Sequence, residues 1–313
     1  MKNLSKFNIF SLLLLFISIN VCAQEFDDGV LRYRVLDEEE ATCEVIGPVA
    51  SEFRGDLIVP QTVSILDREY EVISIAEFAF YEASFLTSVV FPETLQTIGR
   101  ASFTSSGLQS LEIPQNVTLI GNGAFGFCSS LKSITLPEGI IIVDDFSFYS
   151  CDSLESIKLP SSLIWIGNYS FAFCNSLNSI ILPESMSGID PYAFFNCDSL
   201  DSITMLADHY VVINRDRFCD WSVPVLYVKE NLIDEYNKSE WTNYSKKILP
   251  IPMDDKDSSG VESITVDKDT PFDIYNLSGM LIRKNAVKTD ISGLNSGVYI
   301  LKQGDASQRI MIH

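Results

Sequence analysis

Apolar residues in the middle of the chain recur with a period of 22–23 residues, far longer than the period of a helix or a single strand. The proline of an apolar-Pro step falls at Pro92, Pro114, Pro137, Pro160 and Pro183. An Ile or Val before a turn segment keeps the same beat at Ile75, Ile98, Ile120, Val143, Ile166 and Ile189. Phenylalanines follow at Phe80, Phe103, Phe125, Phe148, Phe171 and Phe194, and leucines at Leu86, Leu108, Leu131, Leu154, Leu177 and Leu200. Residues 131–151 illustrate one unit. Leu131-x-x-Ile134-x-Leu136 predicts a short strand in which Ile134 and Leu136 share a face, because side chains alternate along a strand. Pro137 has no N–H to donate and ends the ladder. Ile140, Val143 and Phe148 then return as the opposite apolar wall. Gly or Asp after the Ile/Val predicts a tight turn with unusual backbone angles. One such unit cannot bury its own apolar face, so successive units must stack.

A repeat of this length predicts a leucine-rich-repeat solenoid with a parallel β-sheet on one face and about six units of 22–23 residues. The run Phe125-Gly126-Phe127-Cys128-Ser129-Ser130-Leu131-Lys132-Ser133-Ile134-Thr135-Leu136-Pro137 resembles the unit of the BspA-like leucine-rich repeats of bacterial surface proteins, which reads approximately IGxxAFxxCxSLxSIxLPxxV. The resemblance extends over residues 26–252. Gly29–Tyr33 and Asp56–Pro60 look like that family's N-terminal strands, and Val223–Val228 like its closing strand. Two units depart from the pattern: Ala83 replaces the Cys in the first, and the second is one residue shorter and offers Ser106. The expected organisation is an N-terminal β cap over residues 24–73, repeats over 74–206 and a C-terminal cap over 207–252. Polar caps are what a solenoid needs at its open ends.

The two ends of the chain predict an exported protein. Lys2 and Lys6 precede the apolar run Ile9–Ile19, and Val21-Cys22-Ala23 closes it with short residues, the layout of a signal peptide over residues 1–23. Cys22 also admits a lipid-anchor reading, weakened by Asn20 and Val21 before it. No other run is long enough to span a membrane, so no integral span is expected after signal removal. A polar linker is expected over residues 253–260, followed by a small β-sandwich-like domain over 261–313. Phe272-Asp273-Ile274-Tyr275-Asn276-Leu277-Ser278-Gly279, Gly297-Val298-Tyr299 and Arg309 near the end resemble the C-terminal sorting domain of type IX secretion. That resemblance implies a partnership with export machinery and a place on the outer-membrane exterior of a Gram-negative cell.

Charge narrows the partners. There are 42 acids against 22 Lys+Arg, a formal charge of −20, which leaves little positive surface for nucleic acid. With only His209 and His313 present, histidine chemistry has little to work with. No GxSxG or HExxH motif occurs. Gly121-x-Gly123-x-x-Gly126 has the letters of a dinucleotide fingerprint but lies inside a repeat. Asp255-x-Asp257-x-Ser259-Gly260 imitates a calcium loop but carries Val266 where the bidentate Glu belongs. Neither a cofactor nor a metal is expected.

Cys128, Cys151, Cys174 and Cys197 lie 23 residues apart and should stack at about one strand spacing, ~4.8 Å. That allows a structural ladder of buried thiols or, in an oxidising location, disulfides between neighbours. The exposed strand face is the candidate for function. One outward column is serine in all six units (Ser88, Ser110, Ser133, Ser156, Ser179, Ser202), while its neighbour varies: Val90, Glu112, Thr135, Lys158, Ile181 and Thr204. The uniform small column leaves room for another molecule, and the variable column is where specificity would be written. The expected function is a non-enzymatic binding protein, exported to the cell surface or secreted, for an extracellular protein or glycan. The alternative is an enzyme, such as a hydrolase, with a site in a solenoid cap around His209, Asp216 and Trp221.

Overall fold

A computed structural model describes residues 25–65, 67–190, 192–213, 223, 225–252, 271–276, 281–287, 291, 294, 297–303 and 306–312. The expected signal peptide and linker lie outside the described residues, as do Asp216, Cys219 and Trp221. The first strands are β1 (Glu25–Asp27), β2 (Leu31–Asp37), β3 (Thr42–Pro48), β4 (Gly55–Ile58), β5 (Thr62–Ile65) and β6 (Arg68–Ile75). β1, β2 and β3 pair in antiparallel order, β5 folds back on β6, and β3 joins β6 in parallel. This cap buries Tyr33 completely, with its hydroxyl donating to Asp28 at 2.7 Å and its ring stacked on Phe26.

Each repeat then supplies a front strand and a two-residue back strand. In chain order these are β7 (Leu86–Val90) and β8 (Thr97–Ile98), β9 (Ser110–Glu112) and β10 (Leu119–Ile120), and β11 (Ser133–Thr135) and β12 (Ile142–Val143). β13 (Ser156–Lys158) and β14 (Trp165–Ile166), β15 (Ser179–Leu182) and β16 (Gly188–Ile189), and β17 (Ser202–Met205) and β18 (Val212–Ile213) complete the set. Front strands pair in parallel and in register, Ser110 against Ser133 against Ser156, as a repeat of constant length dictates. β4 extends the front sheet by pairing with β7. At the far end β19 (Val225–Val228) and β20 (Ile248–Pro250) extend it from β17, with a short helix α1 (Ile233–Tyr236) between them. The result is a β-solenoid of about seven turns, mostly strand.

The third side of each coil is a turn segment whose alternate N–H groups donate to the next coil. Phe80, Phe103, Phe125, Phe148 and Phe171 donate to Ser102, Ala124, Ser147, Ser170 and Ala193 respectively, at 2.7–2.9 Å. Their rings, with that of Phe194, form one continuous buried stack, centroids 5.2–5.7 Å apart and planes within 13° of parallel. Only a small residue fits immediately before each phenylalanine; Ala79, Ser102, Ala124, Ser147, Ser170 and Ala193 are all buried there. Trp241 and Tyr236 plug the far end, the indole N–H donating to the Val211 carbonyl at 2.8 Å and the Tyr236 hydroxyl accepting from the Val211 N–H.

The turn chemistry differs from the expectation. Left-handed backbone does not fall on the glycines after the Ile but three residues after it, at Phe78 (φ 58°), Ala101 (φ 50°), Gly123, Phe146 and Tyr169, and again seven residues after it, as at Phe127, Phe173 and Asn196. Glycine serves instead for close approach: a Cβ at Gly121 would lie 2.7 Å from the Arg100 backbone nitrogen of the previous coil. The shortened second unit uses the same device. A Cβ at Gly107 would sit 2.2 Å from the Ser84 carbonyl oxygen, a backbone atom that cannot swing away. Gly107→Ala is therefore expected to lower the unfolding free energy by about 2–3 kcal/mol, read from urea denaturation.

The chain ends in an antiparallel sheet ordered β22-β21-β23-β24, from β21 (Phe272–Asn276), β22 (Leu281–Ala286), β23 (Gly297–Gln303) and β24 (Ala306–Ile312). It holds a small core of its own, Phe272, Ile274, Ala286 and Leu301, with Ile291, Leu294 and Tyr299 packed against it. β23 lies against β15 of the solenoid.

Candidate functional site

In each front strand the buried Leu, Ile or Val points inward and both neighbours point outward, so the pleat presents two outward columns. The structure divides the six expected positions of the variable column into three groups. Val90 (58% exposed), Glu112 and Thr135 come together with Ser88, Ser110 and Ser133 around one open hollow of about 680 Å³ on β7, β9 and β11. Exposed Lys158 and half-buried Ile181 line a second hollow of about 380 Å³, flanked by Glu138 and Glu184. Thr204 does not reach solvent. It is 4% exposed, a correction to its expected place on an open face. The cause is local: Thr204 lies in register between the larger Ile181 and Tyr227, and β23 lies against the adjacent strand β15.

The column also gains a member that sequence reasoning missed. Asp56 of β4 stands in register with Ser88 and accepts hydrogen bonds from the Ser88 hydroxyl at 2.6 Å and the Thr87 hydroxyl at 3.1 Å. These bonds, the one from Ser88 foremost, hold the Asp56 carboxyl below its usual range. The signal was present: Asp56-Leu57-Ile58-Val59-Pro60 has the strand-then-Pro ending of the first five repeats, with Asp in the serine position. Next to this anionic strand, the hollow offers a ligand the polar groups of Ser110, Ser133, Glu112 and Thr135 together with apolar surface from Val90, Phe91, Ile113 and Pro114.

The cysteine column lies in the interior. Cys128, Cys151 and Cys174 donate at 3.2 Å to the carbonyls of Phe103, Phe125 and Phe148 in the preceding coil, and Cys197 donates to that of Phe171 at 2.9 Å. Ser106 fills the same place in the second coil, its hydroxyl 3.2 Å from the Cys128 sulfur. The cysteines among the described residues are free. Burial pushes the Cys128 thiol up to about 11 and Cys197 to about 12, and raises Cys151 and Cys174 well above the ordinary value. Protonated, enclosed thiols are poor nucleophiles and poor metal ligands. Among the described residues no group of three or more His, Cys, Asp or Glu is arranged to hold a metal ion.

His209 is exposed, its Nδ1 3.1 Å from the Asp208 carboxylate. The open hollow nearby is lined by Tyr210, Glu235, Lys238 and Glu240 among others, without His209. Asp216 and Trp221, named with it in the enzyme alternative, lie outside the described residues. No helix among the described residues is long and apolar enough to cross a membrane.

Comparison with protein-family models matches six copies of the BspA type leucine rich repeat region, over residues 61–145 and 96–223, together just over half of the chain. The chain belongs to the BspA-type leucine-rich-repeat family. Comparison with curated protein sequences gives no match. Among solved structures, the chain is similar to a leucine-rich repeat protein from Bacteroides ovatus, at 20% identity and TM-score 0.35, with 72% of this chain and 76% of that chain covered. It is similar also to a T. pallidum leucine-rich repeat protein at 25% identity and TM-score 0.38, covering 58% of this chain and 71% of that one. A leucine-rich repeat protein from Eubacterium ventriosum is 19% identical with TM-score 0.48, covering 65% and 53%. The family assignment rests on the repeat match alone.

Proposed function

We propose that this chain is an exported, non-enzymatic binding protein that holds an extracellular protein or glycan in the front hollow of β7, β9 and β11. The observation that carries the reading is the convergence of Val90, Glu112 and Thr135 with three of the column serines on one rigid sheet surface. Such a surface is prepaid in order: parallel strands fix the side chains before a ligand arrives, so little conformational entropy is lost on binding. The aligned serines keep the floor low, and the variable residues provide the contacts that differ from coil to coil.

Support for export comes from the N-terminal sequence pattern and from the C-terminal segment, whose sequence resembles a type IX sorting domain and whose described strands form a sheet with a core separate from the solenoid's. On this reading the C-terminal sheet addresses the protein to the cell exterior and the solenoid does the binding. Removing residues 261–313 would then abolish surface display, read by protease shaving of intact cells, while leaving the solenoid folded.

The binding reading is tested by screening the chain lacking residues 1–23 against a glycan array and a panel of extracellular-matrix proteins. The screen is then repeated with Ser110→Arg combined with Ser133→Arg. Two long side chains planted in the hollow are expected to weaken capture at least about tenfold, equivalent to ~1.4 kcal/mol or more. Unaltered capture would move the site off this face.

A further inference from the structure

We propose that the turn face of the third to sixth coils docks an arginine- and lysine-rich segment of a partner protein, a surface separate from the front hollow. Its centre is a column of outward rings, Phe146, Tyr169 and Tyr192, stacked on one another at 5.3 and 4.7 Å. Beside it runs a zigzag of Phe127, Tyr149, Phe173 and Phe195, whose rings stand at steep angles of 58–79° to their neighbours. The zigzag is complementary from coil to coil. Where the position after the core phenylalanine is small (Gly126, Ala172), the next one is aromatic (Phe127, Phe173); where it is aromatic (Tyr149, Phe195), the next is small or polar (Ser150, Asn196). Phe127 and Phe146 are 52% and 40% exposed.

Backbone conformation shows that these rings stand where bulk is disfavoured. Phe127, Phe146, Tyr169 and Phe173 all have φ between 55° and 62°, in the left-handed region that favours Gly or Asn. Other coils do place Gly123 and Asn196 at the equivalent positions, so relief of the strain was within the repeat's own vocabulary. Bulky residues held in such a conformation on a surface mark a face put to use.

Charge selects the occupant. The turn segments of these four coils (121–130, 144–153, 167–176 and 190–199) contain Asp144, Asp145, Asp152, Asp190 and Asp198 and no Lys, Arg or His. A second copy presenting the same face would be repelled, and a neutral sugar would leave the negative charge of the carboxylates unneutralised. A guanidinium satisfies both components, since it stacks on aromatic rings and pairs with carboxylates. The chain supplies this chemistry itself at its other end. The Arg100 guanidinium lies over the Phe78 ring at 5.5 Å, and Phe78 heads the same column as Phe146 and Tyr169. In the next three coils Arg100 is replaced by Asn122, Asp145 and Asn168, so a cation for the later rings must come from another molecule.

The test is fluorescence anisotropy of labelled octa-arginine with the chain lacking residues 1–23. Tyr149→Ser combined with Phe195→Ser, and separately Asp152→Asn combined with Asp198→Asn, are each expected to weaken binding about tenfold while the chain keeps a cooperative thermal transition. Other coils already carry a small residue at the ring position, Thr104 and Ala172, and an Asn at the acid position, Asn175. Glu112→Gln on the front face should leave octa-arginine binding intact. The proposal is overturned if the ring pair has no effect, or if Glu112→Gln weakens binding as much as the aspartate pair, which would mean diffuse charge alone. It is equally overturned if Tyr149 and Phe195 instead prove necessary for self-association in size-exclusion chromatography or for capture of a neutral glycan.

Discussion

Phe148→Ala is expected to lower the unfolding free energy by about 3–5 kcal/mol, the cost of emptying a large buried aromatic site. Phe148 is wholly enclosed, its ring sandwiched between Phe125 at 5.7 Å and Phe171 at 5.4 Å. Neighbouring coils cannot collapse into the space, because their separation is fixed by backbone bonds on all three sides: Lys158 carbonyl to Leu136, Val143 to Gly167 and Ser170 to Phe148. A solenoid adds a further consequence. Stability passes only between adjacent coils, so weakening one interface near the middle divides the array. Limited proteolysis should then cut around the fourth coil, releasing an N-terminal and a C-terminal fragment, while urea denaturation followed by circular dichroism loses a single sharp transition. Tyr149→Ser, one position further along, removes a half-buried ring that meets four others on the turn face and should cost less, about 1–2 kcal/mol. Equal effects at the two positions would mean that the ring stack is not the centre of the fold.

The second large effect is a loss of stability in alkali. Burial raises the folded-state values of Cys128, Cys151, Cys174 and Cys197 above the ordinary thiol value of 9.0. The folded chain therefore keeps its thiol protons at a pH where the unfolded chain gives them up. The stabilisation is fully present below pH 9 and is withdrawn as pH climbs towards the folded values, at up to about 1.4 kcal/mol per pH unit for each thiol. The four column thiols amount to about 5 kcal/mol between about pH 8 and about pH 10, and Cys43, pushed up to about 12 by burial in the N-terminal cap, adds about 1 kcal/mol more. Differential scanning calorimetry at the two pH values measures it. Cys151→Ala combined with Cys174→Ala should remove about two fifths of the slope, and Ala fits the equivalent site in the first coil, where Ala83 already stands. A thermal midpoint that does not move with pH would contradict the picture of four enclosed, protonated thiols, and thiol titration of the denatured, unreduced chain would then reveal bridged pairs.

Much of the molecule was legible in the sequence because a solenoid writes its geometry as a period. A residue 23 positions away is a residue one strand away, so the phenylalanine column marked the apolar wall that the structure builds as a ring stack, the serine column the outward ladder, and the cysteine column a stack of thiols or disulfides that the structure holds as free thiols. What the period does not carry is what happens at its ends. Thr204 belongs to the variable column by spacing, yet Tyr227 comes from the closing strand and β23 from the C-terminal sheet, and neither is part of the repeat. Asp56 escaped for the mirror-image reason: its strand is front sheet in space but cap in sequence, without the Phe and Leu that flag a full unit. The turn side was misread because five of its left-handed positions, which turn chemistry assigns to Gly or Asn, carry Phe78, Phe127, Phe146, Tyr169 and Phe173. Side-chain identity alone hid the conformation there.

The stacking itself is tested most directly by distances along the front face. Ile58, Val90, Glu112, Thr135, Lys158, Ile181, Thr204, Tyr227 and Leu249 occupy equivalent places on successive strands. Spin labels carried on unnatural amino acids at Ile58 and Lys158, and then at Ile58 and Leu249, span four and eight strand intervals. Pulsed electron–electron resonance should give separations of roughly 19 Å and roughly 38 Å, at ~4.8 Å per strand. A second distance near twice the first is what parallel coils require; two distances without that ratio, as from a helical bundle or from separate globules, would contradict the account.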